Sequence, residues 1–379
     1  MQLSHCRTLL RCLLLLSWVM APMLNAAVLP EDRMDVLYHR YDGGGMDIKG
    51  PSVLVRKSFA DKVSVNANYY VDKVSAASVD VVTTASPYTE ERIEKSIGLD
   101  YLSDKTLYSV GITASDERDY IGRTAFVGVS QDFFGDMTTV SLGYAQGDDE
   151  VRRRDDPDFR EDLTRRSYQV GVSQVLTRNL IVGINHELIS DQGYLNNPYR
   201  SVRYLTASGF AYQPEVYPRT RTSEATALRG SYYLPWRAAL HGEFRWFEDS
   251  WGIDARDWSL TLVQPLSEEW VLELRTRHYR QSAADFYSDL FPFQDAQNFL
   301  ARDKEMSTFR AMSFGATAGF QRRWPAMPWV DRYGVRLGLD LYRYDYRDFR
   351  DLRVSAAPGE EPLYSFDAWV TTLVFTLWY

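Results

Sequence analysis

The sequence predicts an all-β protein: a transmembrane antiparallel β-barrel of sixteen strands with short periplasmic turns and longer extracellular loops. Three observations carry this reading. Segments of about ten residues or more alternate apolar with polar side chains along the whole chain, which is the period of a strand with lipid on one side and a polar interior on the other. Short turn-forming stretches separate them in alternation with long polar connections. The last segment, Ala368 to Tyr379, puts Trp369, Leu373, Phe375, Leu377 and Tyr379 on one face and stops on an aromatic residue.

At the N-terminus, Arg7 and Arg11 precede an apolar run from Leu13 to Met20 broken only by Ser17, and small Ala26 and Ala27 lead into polar Pro30 to Arg33. That order is expected of a secretory signal peptide, residues 1–27, cut after Ala26 or Ala27. The run is short for a membrane-spanning helix; a buried N-terminal helix is the plainer alternative. Residues 28–379 then form a single barrel domain. Cys6 and Cys12 both lie in the leader, so the exported chain has no thiol for disulfides or thiolate metal sites. The formal net charge of −8 becomes about −10 without Arg7 and Arg11, which argues against nucleic acid as a partner.

Strands are expected near 33–41, 46–59, 63–74, 91–102, 106–116, 120–133, 137–148, 163–176, 180–190, 222–233, 237–250, 254–266, 270–282, 305–322, 331–346 and 364–379. Val63, Val65, Ala67, Tyr69 and Val71 share a face, as do Val335, Leu337, Leu339 and Leu341, and Trp258, Leu260 and Leu262. The glycine run Gly43 to Gly45 suits the first turn, not a phosphate-binding loop. Short turns fall at 60–62, 103–105, 134–136, 177–179, 234–236 and 267–269, and long connections at 75–90, 149–162, 191–221, 283–304 and 347–363. An even count leaves both termini on the periplasmic side. The first strand and the stretch 200–211 are the weakest points of the count. Phe133, Phe134, Trp236, Trp270, Trp324, Trp329 and Tyr379 fall near the periplasmic side, where interfacial aromatics belong. Lys57 and Lys95 sit awkwardly, sharing faces with Val53 and Val55 and with Ile97 and Leu99.

The opposite faces of the later strands carry His241, Glu243 and Arg245, then Glu273, Arg275 and Arg277, then Arg336 and Asp340. Such groups are costly against lipid and tolerable in a wet lumen. Either they line a passage and set its preference for ions or solutes, or they pair and brace a closed or plugged barrel. Among the loops, Asp148, Asp149, Glu150, Asp155, Asp156 and Asp158 offer oxygen ligands for a hard cation. The interleaved Arg152, Arg153 and Arg154 make a self-neutralised loop the stronger expectation, and no metal or other cofactor is assigned. An enzyme is the weakest reading. The four histidines of the exported chain, His39, His186, His241 and His278, are scattered, and no Gly-x-Ser-x-Gly elbow occurs. For a hydrolase embedded in the wall, His241 beside Glu243 would be the best base.

The C-terminal segment resembles the strand signal by which outer-membrane barrels are read by their assembly machinery. Further, Tyr38, Tyr41, Asp42 and Gly43, then Pro51, Arg56 and Phe59, then Asp72, Ser75, Ala77, Ser78 and Asp80 resemble the DUF3570 family over residues 31–105. The resemblance implies a proteobacterial outer-membrane barrel without an assigned function or catalytic residue. It also implies an envelope partner, a periplasmic protein or lipoprotein, beside the membrane lipid itself. Asp72, Ser75, Ser78 and Asp80 lie where the third strand enters a long loop and are expected to organise it. Two functions compete: a channel or transporter for a small solute or ion, and a closed barrel acting as receptor or scaffold.

Overall fold

The computed structural model describes residues 28–76 and 88–379. The expected signal segment, together with Ser78 and Asp80, lies outside the described residues. The strands are β1 (Arg33–Gly43), β2 (Met46–Phe59), β3 (Val63–Ala76), β4 (Tyr88–Ser103), β5 (Thr106–Glu117), β6 (Tyr120–Phe133), β7 (Thr138–Arg152), β8 (Arg160–Thr177), β9 (Leu180–Gly193), β10 (Ser201–Thr206), β11 (Gly209–Pro214), β12 (Thr220–Tyr233), β13 (Ala239–Asp249), β14 (Asp254–Pro265), β15 (Trp270–Gln281), β16 (Phe309–Arg323), β17 (Arg332–Arg350) and β18 (Leu363–Trp378). All but β10 and β11 close into one barrel of antiparallel neighbours. The ring is sealed by β1 on β18, from Arg33 opposite Trp378 to Gly43 opposite Ala368. Closure is what hydrocarbon demands, since lipid offers the backbone no hydrogen-bond partner.

The stretch 200–211 is resolved as part of a separate hairpin: β10 and β11 pair only with each other, and β9 pairs directly with β12. The expected sixteen strands therefore stand without it. The first strand is present and sealed on both sides. One rim carries tight turns, several with left-handed residues such as Ala60 and Asp61, or Phe134, Gly135 and Asp136. The opposite rim carries the long connections 153–159, 194–219, 282–308 and 351–362. Three connections on that rim are nonetheless tight. In the first, Gly44 and Gly45 have φ of 59° and 80°, the paired left-handed conformation of a two-residue hairpin.

Alternation sets which side chains meet lipid. Val55, Ile97, Ile112, Val127, Leu228, Leu274, Phe314, Leu337 and Leu373 are exposed on the outer face. Tyr101, Tyr108, Phe133, Trp236 and Trp270 ring the turn side, and Tyr69, Tyr168, Trp246, Trp258 and Trp369 stand further up; two aromatic girdles bound the apolar band. Lys57 is accounted for at the turn rim, where its Nζ lies 2.5 Å from Asp32 and 5.1 Å from the centre of the Tyr379 ring. Lys95 remains on the outer face, exposed, within β4.

Candidate functional site

β13, β15 and β17 position the charged residues singled out from the sequence. His241, Glu243 and Arg245 alternate with outward Phe244 and Trp246. Glu273, Arg275 and Arg277 alternate with outward Leu274. Arg336 and Asp340 alternate with outward Leu337 and Leu339. All eight project into the barrel. Five of them meet charged partners that sequence alone did not identify. Arg229 Nε donates to Glu243 at 2.5 Å, Arg277 Nε donates to both oxygens of Asp257 at 2.9 and 2.8 Å, and Arg245 lies 3.7 Å from Glu187. Arg275 donates through Nε to Asp340 at 2.5 Å and through Nη1 to Thr317 at 2.9 Å, with a second bond from Nη2 to Asp340. Bidentate geometry of this kind fixes orientation as well as charge.

Small residues make the cross-strand pairs possible. Arg275 and Asp340 both face Gly315 in register, from β15 and β17. A Cβ on Gly315 would overlap Asp340 Oδ1 and come within 2.7 Å of Arg275 Nε. Arg245 reaches Glu187 past Ala225 and Ala227 of β12, which sit opposite these strands. Arg336 differs: it is exposed inside the barrel, in no ion pair among the described residues. His241 is exposed too, with Nδ1 2.8 Å from Ser231 Oγ. Nearer the loop rim the same walls are packed: Asp340, Tyr346 and Tyr364 are buried, and Tyr344 stacks on Phe366 at 4.7 Å. β17 runs on to Arg350, so much of the acidic and aromatic run from Tyr342, which the expected connection at 347–363 begins to cut, is strand.

Above this lies a folded cap that sequence reasoning missed. The 194–219 and 282–308 connections join by backbone bonds: Leu205 N–H to Phe291 C=O and Phe291 N–H to Arg203 C=O, both 2.9 Å, and a reciprocal pair between Val216 and Leu300. Val202, Phe291 and Leu300 form its small apolar core. At its centre Arg203, with 0 % side-chain exposure, contacts the carboxylates of Asp289 and Glu361. Arg302 Nη2 donates to Asp289 at 2.9 Å, and its guanidinium lies 4.6 Å over the Phe349 ring. Burial pushes the Tyr217 phenol well above its usual value, so it stays neutral and donates to Glu215 at 2.8 Å. The excursion that leaves the wall between β9 and β12 thus reaches Glu361, between β17 and β18. In the other direction its Tyr199 hydroxyl donates to Asp119, between β5 and β6, at 2.9 Å. A loop anchored on such separated parts of the ring lies across the mouth. Its signal in sequence was the density of Tyr, Phe and Leu in connections expected to be merely polar.

The remaining residues are placed as follows. Asp72 is fully buried on the inner face of β3, its Oδ1 2.7 Å from His39 Nε2, with Tyr70 stacked on the His39 ring. Ser75 is exposed near the loop end of the same strand; the structure does not bring the two together. In the acidic connection Arg153 donates to both oxygens of Asp155 at 3.0 and 2.8 Å, holding that carboxyl below its usual value, and Arg152 pairs with Glu150. Among the described residues no three His, Cys, Asp or Glu side chains are grouped to hold a metal ion.

A family model described as "Protein of unknown function (DUF3570)" matches residues 12–167 and 153–345. No curated protein matches the sequence. Among solved structures, one described as a bacterial polysaccharide outer membrane secretin is 8% identical, with 93% of this chain and 100% of that chain covered and a TM-score of 0.50. OccK2 (OpdF) of Pseudomonas aeruginosa in complex with glucuronate is 10% identical, with 92% and 98% covered and a TM-score of 0.44. The siderophore receptor PirA from Pseudomonas aeruginosa is 11% identical, with 92% and 64% covered and a TM-score of 0.41. At such identities the likeness concerns the fold alone, a closed antiparallel barrel of the outer-membrane type.

Proposed function

Since this chain belongs to the DUF3570 family, whose description assigns no activity, we propose from its own residues that it is a gated channel or transporter for a small solute or ion. The observation that carries the reading is the charged interior wall beneath the cap, with His241 and Arg336 exposed inside the barrel. A purely structural wall gains nothing from an exposed guanidinium in no ion pair at that position. The paired groups Glu243, Arg245, Arg275, Arg277 and Asp340, with Glu273 beside Arg275, hold the passage in shape and alternate its charge along the way. The knitted cap is the gate, and its ion cluster keeps the outer mouth closed at rest. In this reading residues 1–27 are the export signal and 28–379 the working barrel.

The cap also favours a second reading, a closed receptor or scaffold for a periplasmic protein or lipoprotein. Planar-bilayer conductance separates the two. The wild type is expected to open rarely, and the Arg203→Ala, Arg302→Ala pair to give long-lived steps. Arg336→Glu added to that pair should then shift the reversal potential toward cation preference. A cap variant that is folded, inserted and silent would move the assignment to the receptor or scaffold.

A further inference from the structure

The outer wall of β4–β7 carries a feature that neither the interior nor the cap uses. Lys95, Ala114 and Arg123 stand in one row across β4, β5 and β6, Lys95 opposite Ala114 and Ala114 opposite Arg123. At the usual strand spacing the two cationic residues are about 10 Å apart, with only a methyl group between them. Toward the turn rim the next row is Ile97, Ile112 and Ala125. Ala114 and Ala125 dent the wall between larger neighbours, and the result is a groove of ≈ 710 Å³ on the lipid-facing side, with Val127 and Tyr144 along its lower edge. Ile97, Ile112 and Val127 are among the most exposed apolar residues of the barrel.

The charged residues begin where the apolar rows of this wall end. Neither Lys95 nor Arg123 is in an ion pair among the described residues. Asp148, the neighbour of Arg123 on β7, accepts instead from Gln146 and Thr164, both at 3.1 Å. Asp116 is exposed one row nearer the loop rim. Asp148 thus ends the cationic row on its β7 side and also lines the groove, and the next row outward holds Asp116 between Ile93 and Ile121. Lysine and arginine facing lipid are costly at the bilayer midplane and nearly neutral at its interface, so the cationic row marks the outer boundary of the hydrocarbon. Two cations about 10 Å apart directly above an apolar trough, neither within ion-pair distance of a carboxylate among the described residues although Arg123 also acts on Glu150, complement a lipid with a phosphate at its head.

We infer that this groove is a binding site for a phosphate-bearing lipid of the outer leaflet, its acyl chain in the Ala125 trough and its phosphate between Lys95 and Arg123. The site fixes the barrel's depth and ties it to the surrounding leaflet. The test is native mass spectrometry of the full-length folded barrel in mild detergent. The probes are a diphosphorylated glucosamine glycolipid, the same lipid with its phosphates removed, and inorganic phosphate as competitor. The wild type is expected to retain the diphosphorylated lipid. The Lys95→Gln, Arg123→Gln pair should lower retention at least about tenfold, and so should Ala114→Trp, which fills the groove and leaves both charges. Heat-modifiable gel migration establishes that each variant is a folded barrel before it is scored. Equal retention by the Gln pair, equal binding of the dephosphorylated lipid, or displacement by inorganic phosphate would each overturn the assignment, the last by showing a site for the free anion.

Discussion

Arg275 and Asp340 belong to β15 and β17 and meet only across β16, above Gly315. Gly315→Ala should part them, because the added methyl falls where the carboxylate oxygen now sits. Arg275 is one-third exposed, which discounts the full cost of breaking a buried pair, and a loss of about 1–3 kcal/mol is expected in the urea unfolding free energy. Gly319→Ala is the matched control, since its Cβ would meet Arg336 Cγ at 3.4 Å, an ordinary contact. Equal losses for both glycines would show that backbone freedom, and not the ion pair, set the effect. The charged residues of this pair were legible in the sequence because alternation assigns a face. The pairing was not, since it depends on which small residue lies between two strands distant in sequence.

The hairpin β10–β11 and the 282–308 connection owe their order to charge buried with its partners. Removing one member of such a cluster leaves the rest uncompensated. Burial tends to raise the Glu361 carboxyl, but the hydrogen bond from Arg203 and the backbone N–H of Gly359 outweigh it, and the net shift is downward. A carboxyl lowered in the folded state contributes stability that is present above its unfolded value of about 4.3 and lost as pH falls through the lowered one. Hydrogen exchange should show segments 201–214 and 285–303 protected at pH 7 and opened at pH 3, while the barrel strands stay protected. Unchanged protection of the cap at pH 3 would mean that Val202, Phe291 and Leu300 hold it without Glu361. Connection lengths showed where long excursions leave the wall, yet not that two of them would pair, because that pairing joins residues such as Leu205 and Phe291 with no local periodicity to announce it.

Closure is a property of the whole ring. β18 completes hydrogen bonding for both β1 and β17, and Thr376 Oγ1 donates to Asp35 across the seam at 2.7 Å. Deleting residues 363–379 leaves two open edges that lipid cannot satisfy. The truncated chain is expected to fail to insert, measured as loss of heat-modifiable migration and of protease resistance in membranes. A truncated chain that inserted as a stable monomer would show that the seam is not required.

The sequence by itself determined the barrel, its strand number, the face of each strand and the rim of each connection. These follow from a period of two and from the chemistry of lipid, both of which act locally on every residue. The tertiary structure alone decided that interior charges pair across intervening glycine and alanine, and that two loops knit into a cap across the mouth. It also decided that Lys95 and Arg123 become neighbours on the outer wall. Each of these depends on register and on closure of the ring, which bring together residues far apart in the chain at distances that no local pattern encodes.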